Sequence, residues 1–359
     1  MMGYFFEVQE MHIPDGYLSP QTTIPAFAVM VPFWGASFHK VKMELEKKDV
    51  PQLALCSAFA FLTMMFNVPV AGGSSAHAVG AVLISILLGP WAAVISVSTA
   101  LLIQALVFGD GGIMAFGMNC LNMAVVMPFA GYGLYKLIAG KSRTGSARNL
   151  VAAFFGGYFG LNLAAFCASV EFGIQPLLFR DAAGQPLYCP YPLSVSIPAM
   201  MFAHGVVAGP IEGIITAAAL AYVTKLAPDL LKRGASRLPV QEHEKVPFLK
   251  RYKPVLIAIL VMVVLTPLGL LATGTAFGEF DTEEIKAAIG YIPKGMAQMA
   301  DKWNALMPDY SLPALGSAQA ASVGGYILSA TVGIAIVGLL IFLMSKLLVK
   351  GKKQNSSHE

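Results

Sequence analysis

Met11-His12, at the head of the stretch MHIPDGYLSP (Met11 to Pro20), carries the parts of a metal chelate. A free amino group on Met11, the His12 amide nitrogen and the His12 imidazole would close fused rings around one divalent cation. Such a near-planar, all-nitrogen set suits Ni(II), Cu(II) or low-spin Co(II) better than tetrahedral Zn(II). The chelate requires the Met11 nitrogen to be an amine, yet the chain carries MMGYFFEVQE ahead of it. The competing reading is an ordinary loop with Pro14-Asp15-Gly16 as its turn.

A second imidazole, His77, follows the small residues GGSSA. It reads either as a metal ligand or as an interfacial residue capping a helix. His204 and Glu212 fall inside one apolar run, where ionisable groups are expensive and usually functional. Eight positions apart on a helix, they stand about 12 Å apart along its axis, too far to chelate one ion; hydrogen bonding across a helix bundle is the other reading. Asn119 and Asn122, one turn apart, serve either as interhelical hydrogen bonds or as groups orienting an imidazole. His39, His243 and His358 sit in basic segments and read as solvated. Cys56, Cys120 and Cys167 lie in apolar runs and Cys189 in a loop, without CxxC spacing, so no disulfide framework is expected. There is no Walker A sequence, glycine-rich nucleotide loop or HExxH. Transport driven by ATP would therefore need an ATPase on another chain.

The elements that must position these residues are membrane helices. Of the 359 residues 56% are hydrophobic and only 12% charged, which defines a polytopic membrane protein. The net charge of +4 is small, and no nucleic acid partner is expected. MMGYFFEVQE lacks the basic and apolar regions of a secretory signal. Apolar runs long enough to be read as spans cover Ile24 to Phe38, Gln52 to Val68, Ala78 to Leu88, Trp91 to Phe108, Met114 to Ile138, Leu150 to Val170 and Val195 to Tyr222. Pro254 to Leu271 and Gly325 to Leu348 follow. With the amino terminus outside and a break at Gly89-Pro90, all 24 Lys and Arg fall inside except Arg180, Lys286, Lys294 and Lys302, as the positive-inside rule requires. This predicts an all-α polytopic bundle of seven spans, a basic cytoplasmic linker and two more spans, with the carboxyl terminus cytoplasmic. His12, His77 and the Gly109-to-Gly112 segment then share the outer face. On this topology the only carboxylate expected near His12 and His77 is Asp15. The loop over 273–322 carries Glu279, Asp281, Glu283 and Glu284, then Trp303 and a Pro308-Asp309-Tyr310 turn. It reads as a solvated amphipathic segment or as an outer cap that draws in cations.

Together, MHIPDGYLSP, GGSSAHAVGA, GDGGIMAFGMNCLNMAVVMP and FAHGVVAGPIEGIIT strongly resemble the CbiM/NikM family. These are the substrate-capture (S) components of energy-coupling-factor transporters for cobalt and nickel. The resemblance covers Met11 to about Lys225. It implies a metal site made of the Met11 nitrogen, the His12 amide and imidazole, and His77. Co(II) or Ni(II) would be the transported substrate, supplying cobalamin biosynthesis or a nickel enzyme. The implied partners are a transmembrane coupling (T) protein and cytoplasmic ATPase subunits, in a bacterial or archaeal cytoplasmic membrane. The part after about Pro254 looks like the two-span auxiliary component, CbiN-like or of PDGLE type, although PDYSLP is only a loose counterpart of PDGLE. The expected organisation is an extension 1–10 absent from the mature protein, with translation starting at Met11 or Met11 exposed by proteolysis. A seven-span unit 11–225, a linker 226–253, a two-span auxiliary segment 254–349 and a basic tail 350–359 follow. The chain is read as a binding component and not an enzyme. The rivals are a secondary cation transporter coupled through His204 and Glu212, and an intramembrane metalloenzyme.

Overall fold

The computed structural model describes residues 12–44, 49–70, 74–231, 247–272, 282–300, 302–312 and 319–348. Met11, the extension 1–10, most of the linker, residues 273–281 with Glu279 and Asp281, and the tail lie outside the described residues. Seven helical segments come first. They are α1 (Pro20–Glu44), α2 (Val50–Met64), α3 (Ala81–Leu88), α4 (Pro90–Phe108), α5 (Phe116–Ala139), α6 (Ala147–Leu178) and α7 (Leu193–Leu226). A two-stranded antiparallel ribbon, β1 (Val68–Val70) and β2 (Ser74–Ala76), precedes α3, with Pro69 opposite Ser75. The second unit contributes α8 (Phe248–Leu265), two short helices α9 (Thr282–Ile289) and α10 (Lys294–Ala300), and α11 (Gln319–Leu348).

Helical segments stand where the apolar runs predicted them, and the third is shorter than its run. Helix α3 has eight residues, all buried, so it is about 12 Å long against a hydrocarbon core of about 30 Å. The first three residues of the expected run, Ala78 to Gly80, instead lie in the non-repetitive chain that joins the ribbon to α3. Gly89 ends α3 and begins α4 at φ 90 and ψ 156, a conformation open to glycine alone, and Pro90 starts the next helix without needing an N–H partner. Among the described residues, six helices are long and apolar enough to cross a membrane: α4, α5, α6, α7, the helix around α8 and α11. Helix α1 is long, with Pro25 and Pro32 inside it, and α2 has 15 residues.

Small residues let the inner helices approach one another. A Cβ on Gly160 would stand 2.7 Å from the Met127 carbonyl oxygen, and one on Gly156 2.8 Å from that of Gly131, the close contact that small residues permit between membrane helices. Three helices carry a π turn, at Gln104–Phe108 in α4, Cys120–Val126 in α5 and His204–Ala208 in α7. Such widened turns gather at functional positions, and here they bear Gln104, Asn122 and His204.

The second unit packs on the first. Helix α11 lies along α2, with Gly333 directly against the Phe61 ring. The described part of the segment 282–312 folds over the end of the bundle where His12 and His77 lie. It is bonded there through Gly295 N–H to Leu187 O at 2.8 Å, Met307 N–H to Val107 O at 2.9 Å and Trp303 Nε1 to Leu106 O at 3.1 Å. Lys294 pairs with Asp181 at 2.9 Å. The described part of this loop therefore packs on the bundle, while outer side chains such as Lys286, Lys294 and Leu306 stay exposed.

Candidate metal centre

His12 and His77 meet. Their ring centroids are 4.8 Å apart and the rings are inclined at 42°, with His12 fully buried and His77 nearly so. Each is delivered by a loop that other residues pin. Asn119 clamps the residue after His12 on both sides, accepting from Ile13 N–H at 2.9 Å and donating to Ile13 O at 3.1 Å. Gly112 N–H adds a third bond to the same carbonyl at 2.8 Å. The Asp15 carboxylate turns to the Ile113, Met114 and Ala115 N–H groups at 3.1, 2.8 and 3.2 Å, so it ties the leading loop to the start of α5. On the other side, Glu212 accepts from Val79 N–H at 2.8 Å and Gly80 N–H at 2.9 Å. It thus anchors the chain two and three residues beyond His77, and Thr216 bonds its second oxygen at 3.3 Å.

His77 lies in the loop between β2 and α3 and engages Ala78 O through Nδ1 at 3.0 Å, while its Nε2 has no hydrogen-bond partner. Burial, reinforced by the neighbouring His12, pushes its pKa down to about 4. It is therefore neutral near pH 7, the form in which imidazole ligates a metal.

One neighbour was not anticipated. The Asp110 carboxylate lies against His12, Oδ1 to Nδ1, which corrects the expectation that only Asp15 would stand near the two histidines. Gln104 Nε2 donates to Asp110 Oδ2 at 3.0 Å and to the Tyr310 hydroxyl at 2.8 Å, and that hydroxyl donates to the same Asp110 oxygen. Burial alone would raise the Asp110 carboxyl, but His12, then His77 and the Tyr310 hydroxyl, outweigh it and hold the group below its usual range. Burial and the adjacent Asp110 push the Tyr310 phenol well above its ordinary value, so it remains a donor. Gln104, buried in a 19-residue apolar helix, carried a sequence signal of its own, since a buried amide in such a span needs a partner.

Asn122 reaches across to Glu171 at 2.8 Å, an interhelical bond. Buried His204 shares its Nδ1 with Met200 O at 2.9 Å within its own helix. All four cysteines are free thiols. Among the described residues no three His, Cys, Asp or Glu side chains are grouped so as to hold a metal ion.

Six apolar helices long enough to span a membrane among the described residues, with a buried pair of imidazoles, define a multi-pass membrane protein with a candidate binding site at one end of its bundle. The family model "Cobalt uptake substrate-specific transmembrane region" matches residues 12–230, and the "PDGLE domain" model matches residues 253–350. The chain belongs to this family of metal transport proteins, which are not enzymes, and joins its substrate-specific region to a PDGLE domain. It is 46% identical over 343 residues to the fused nickel transport protein NikMN of Rhodobacter capsulatus, covering 91% of this chain and 95% of that protein. It is 42% identical over 349 residues to the probable fused nickel transport protein LarMN of Lactiplantibacillus plantarum, covering 95% and 97%. A crystal structure described as a truncated transition metal transporter superposes with a TM-score of 0.56 at 52% identity, covering 60% of this chain and 98% of the other.

Proposed function

We propose that the chain captures Ni(II) or Co(II) as substrate between its leading loop and the His77 loop. It passes the ion inward only in company with a transmembrane coupling protein and cytoplasmic ATPases of the energy-coupling-factor type. The observation that carries this reading is the pair of buried imidazoles 4.8 Å apart, one of them neutral with a bare Nε2. Two imidazoles alone would bind a divalent ion weakly and with little preference among metals. The Met11 amine and the deprotonated His12 amide supply two further nitrogens and a plane, a set suited to Ni(II) and low-spin Co(II). That the fused relatives matched along nearly their whole length are nickel transport proteins puts Ni(II) first.

In this reading residues 11–225 form the capture unit and 254–349 an auxiliary unit, in a bacterial or archaeal cytoplasmic membrane. The two histidines face outward and the basic linker and tail face the cytoplasm. The distribution of Lys and Arg supports this orientation. Cysteine-accessibility labelling in cells tests it: position 89 should be reached from the cytoplasm and position 180 from outside.

The amine is the decisive test. Protein starting at Met11 should bind one Ni(II) or Co(II) tightly, and acetylation of that amine should remove the gain. Protein starting at Met1 should bind poorly, and mass spectrometry of native protein should find Met11 first. Tight binding by native protein that retains MMGYFFEVQE would show that the amine is not a ligand.

A further inference from the structure

The two nitrogens of the His12 ring are not equivalent for the proposed chelate. Only Nδ1 can close a ring with the amide nitrogen of its own residue, because Nε2 lies on the far side of the imidazole. In the structure Nδ1 is engaged by Asp110 Oδ1. The chelate and this contact therefore compete for one atom.

Asp110 is held in turn. Its Oδ2 accepts from the Tyr310 hydroxyl and from Gln104, and Tyr310 comes from the second unit, 200 residues further along the chain. Tyr310 is placed with care. Asp309 and Tyr310 both have left-handed backbones, at φ 51 and φ 56, a conformation that bulky side chains rarely adopt. What keeps them there is packing. The Tyr310 ring stacks on Phe108 at 4.8 Å and 25° and leans on Phe61 and Tyr326, while Ser329 donates to the Tyr310 carbonyl at 2.8 Å. The result is a hydroxyl aimed at Asp110. A cavity of about 170 Å³, lined by Pro14, Asn67, Asp110, Asp309 and Tyr310 among others, opens beside it, with room for the carboxylate or an arriving ion to move.

Building on the metal-capture reading, we propose that Asp110 and Tyr310 form a latch. They hold the His12 imidazole by the nitrogen the metal needs, so the ion loads only as the ring is released. The auxiliary unit thereby sets the loading rate. Tyr310 is a positioning residue, acting through Asp110. A site that must first leave an occupied conformation shows an apparent affinity reduced by the fraction that is competent. A charge-assisted hydrogen bond can lower that fraction to on the order of a tenth or below.

The test mixes Ni(II) or Co(II) with purified full-length protein bearing its native amino terminus and follows the ligand-field absorbance in time. Tyr310→Phe keeps the ring and its stacking and loses only the hydroxyl; Asp110→Asn keeps the shape and loses the charge. In both variants association should quicken, on the order of tenfold, with unchanged metal stoichiometry. The His12 Nδ1 resonance of metal-free protein should shift in nitrogen NMR. Unchanged rates and an unchanged resonance in both variants overturn the latch while leaving capture intact. Loss of the ion in Tyr310→Phe overturns it too, since the tyrosine would then be building the site. If unsubstituted protein takes up no ion, the capture reading fails and the latch falls with it.

Discussion

Glu212, in the middle of a membrane helix, accepts the N–H groups of Val79 and Gly80, just beyond His77. The position of one candidate ligand therefore depends on a carboxylate 135 residues away in sequence. Glu212→Gln should lower metal affinity about tenfold or more, the usual effect of losing a group that orients a ligand, with the protein still inserted in the membrane. Equilibrium dialysis with Ni(II) gives the answer, and an unchanged dissociation constant would show that the His77 loop keeps its place unaided.

His77→Ala should abolish stoichiometric metal binding without unfolding the protein, because it removes the bare Nε2 that faces no competing partner. His204→Ala should have the smaller effect: its Nε2 is also without a partner, but the ring sits in the π turn of α7 with Nδ1 bonded within its own helix, and not on either loop of the site. Metal content of the two purified variants separates these outcomes, and retained metal in His77→Ala would sink the site.

Asn119→Leu should destabilise the protein. It leaves the buried Ile13 N–H without its acceptor and takes one of two donors from the Ile13 carbonyl. An orphaned buried group costs about 1–3 kcal/mol. The unfolding temperature in detergent should fall and metal binding weaken with it; loss of binding alone, at full stability, would mean that the clamp is not structural.

The metal-free protein should lose stability as pH falls from about 6.5 to about 4. The His77 pKa, near 6.5 when unfolded and about 4 in the fold, makes the unfolded chain bind more protons across that window, so stability rises with pH there. The contribution is up to roughly 1.4 kcal/mol per pH unit and disappears below the folded pKa. Thermal unfolding against pH should show this slope, and His77→Gln should flatten it.

The helices and the pairing of His12 with His77 were legible in the sequence, because both follow from strong signals. Long apolar runs announce helices, and the placing of Lys and Arg puts the two histidine loops at one end. The sequence resemblance pointed to the same pair. The shortness of α3 was hidden, since an apolar run from Ala78 to Leu88 looks the same whether all of it or only its last eight residues are helical. The Asp110 latch was hidden for another reason. Asp110 sits among glycines that suggested only close backbone approach, and its partners Gln104 and Tyr310 come from a helix interior and from the far unit. Contacts between such distant positions leave no spacing or periodicity to read. The roles of Asn119 and Glu212 were partly visible, as polar groups in apolar helices, but their targets are backbone groups, which a sequence cannot single out.

The packing of α11 along α2 and the reach of Tyr310 to Asp110 occur within a single polypeptide. Carried on separate chains, the same two surfaces would have to find each other by lateral diffusion, and their occupancy would rise and fall with the copy number of each. Covalent continuity replaces that search with a local concentration on the order of millimolar. The ratio of the two units is fixed at one to one. The contact at Asp110 becomes an internal equilibrium of each molecule, indifferent to dilution in the membrane.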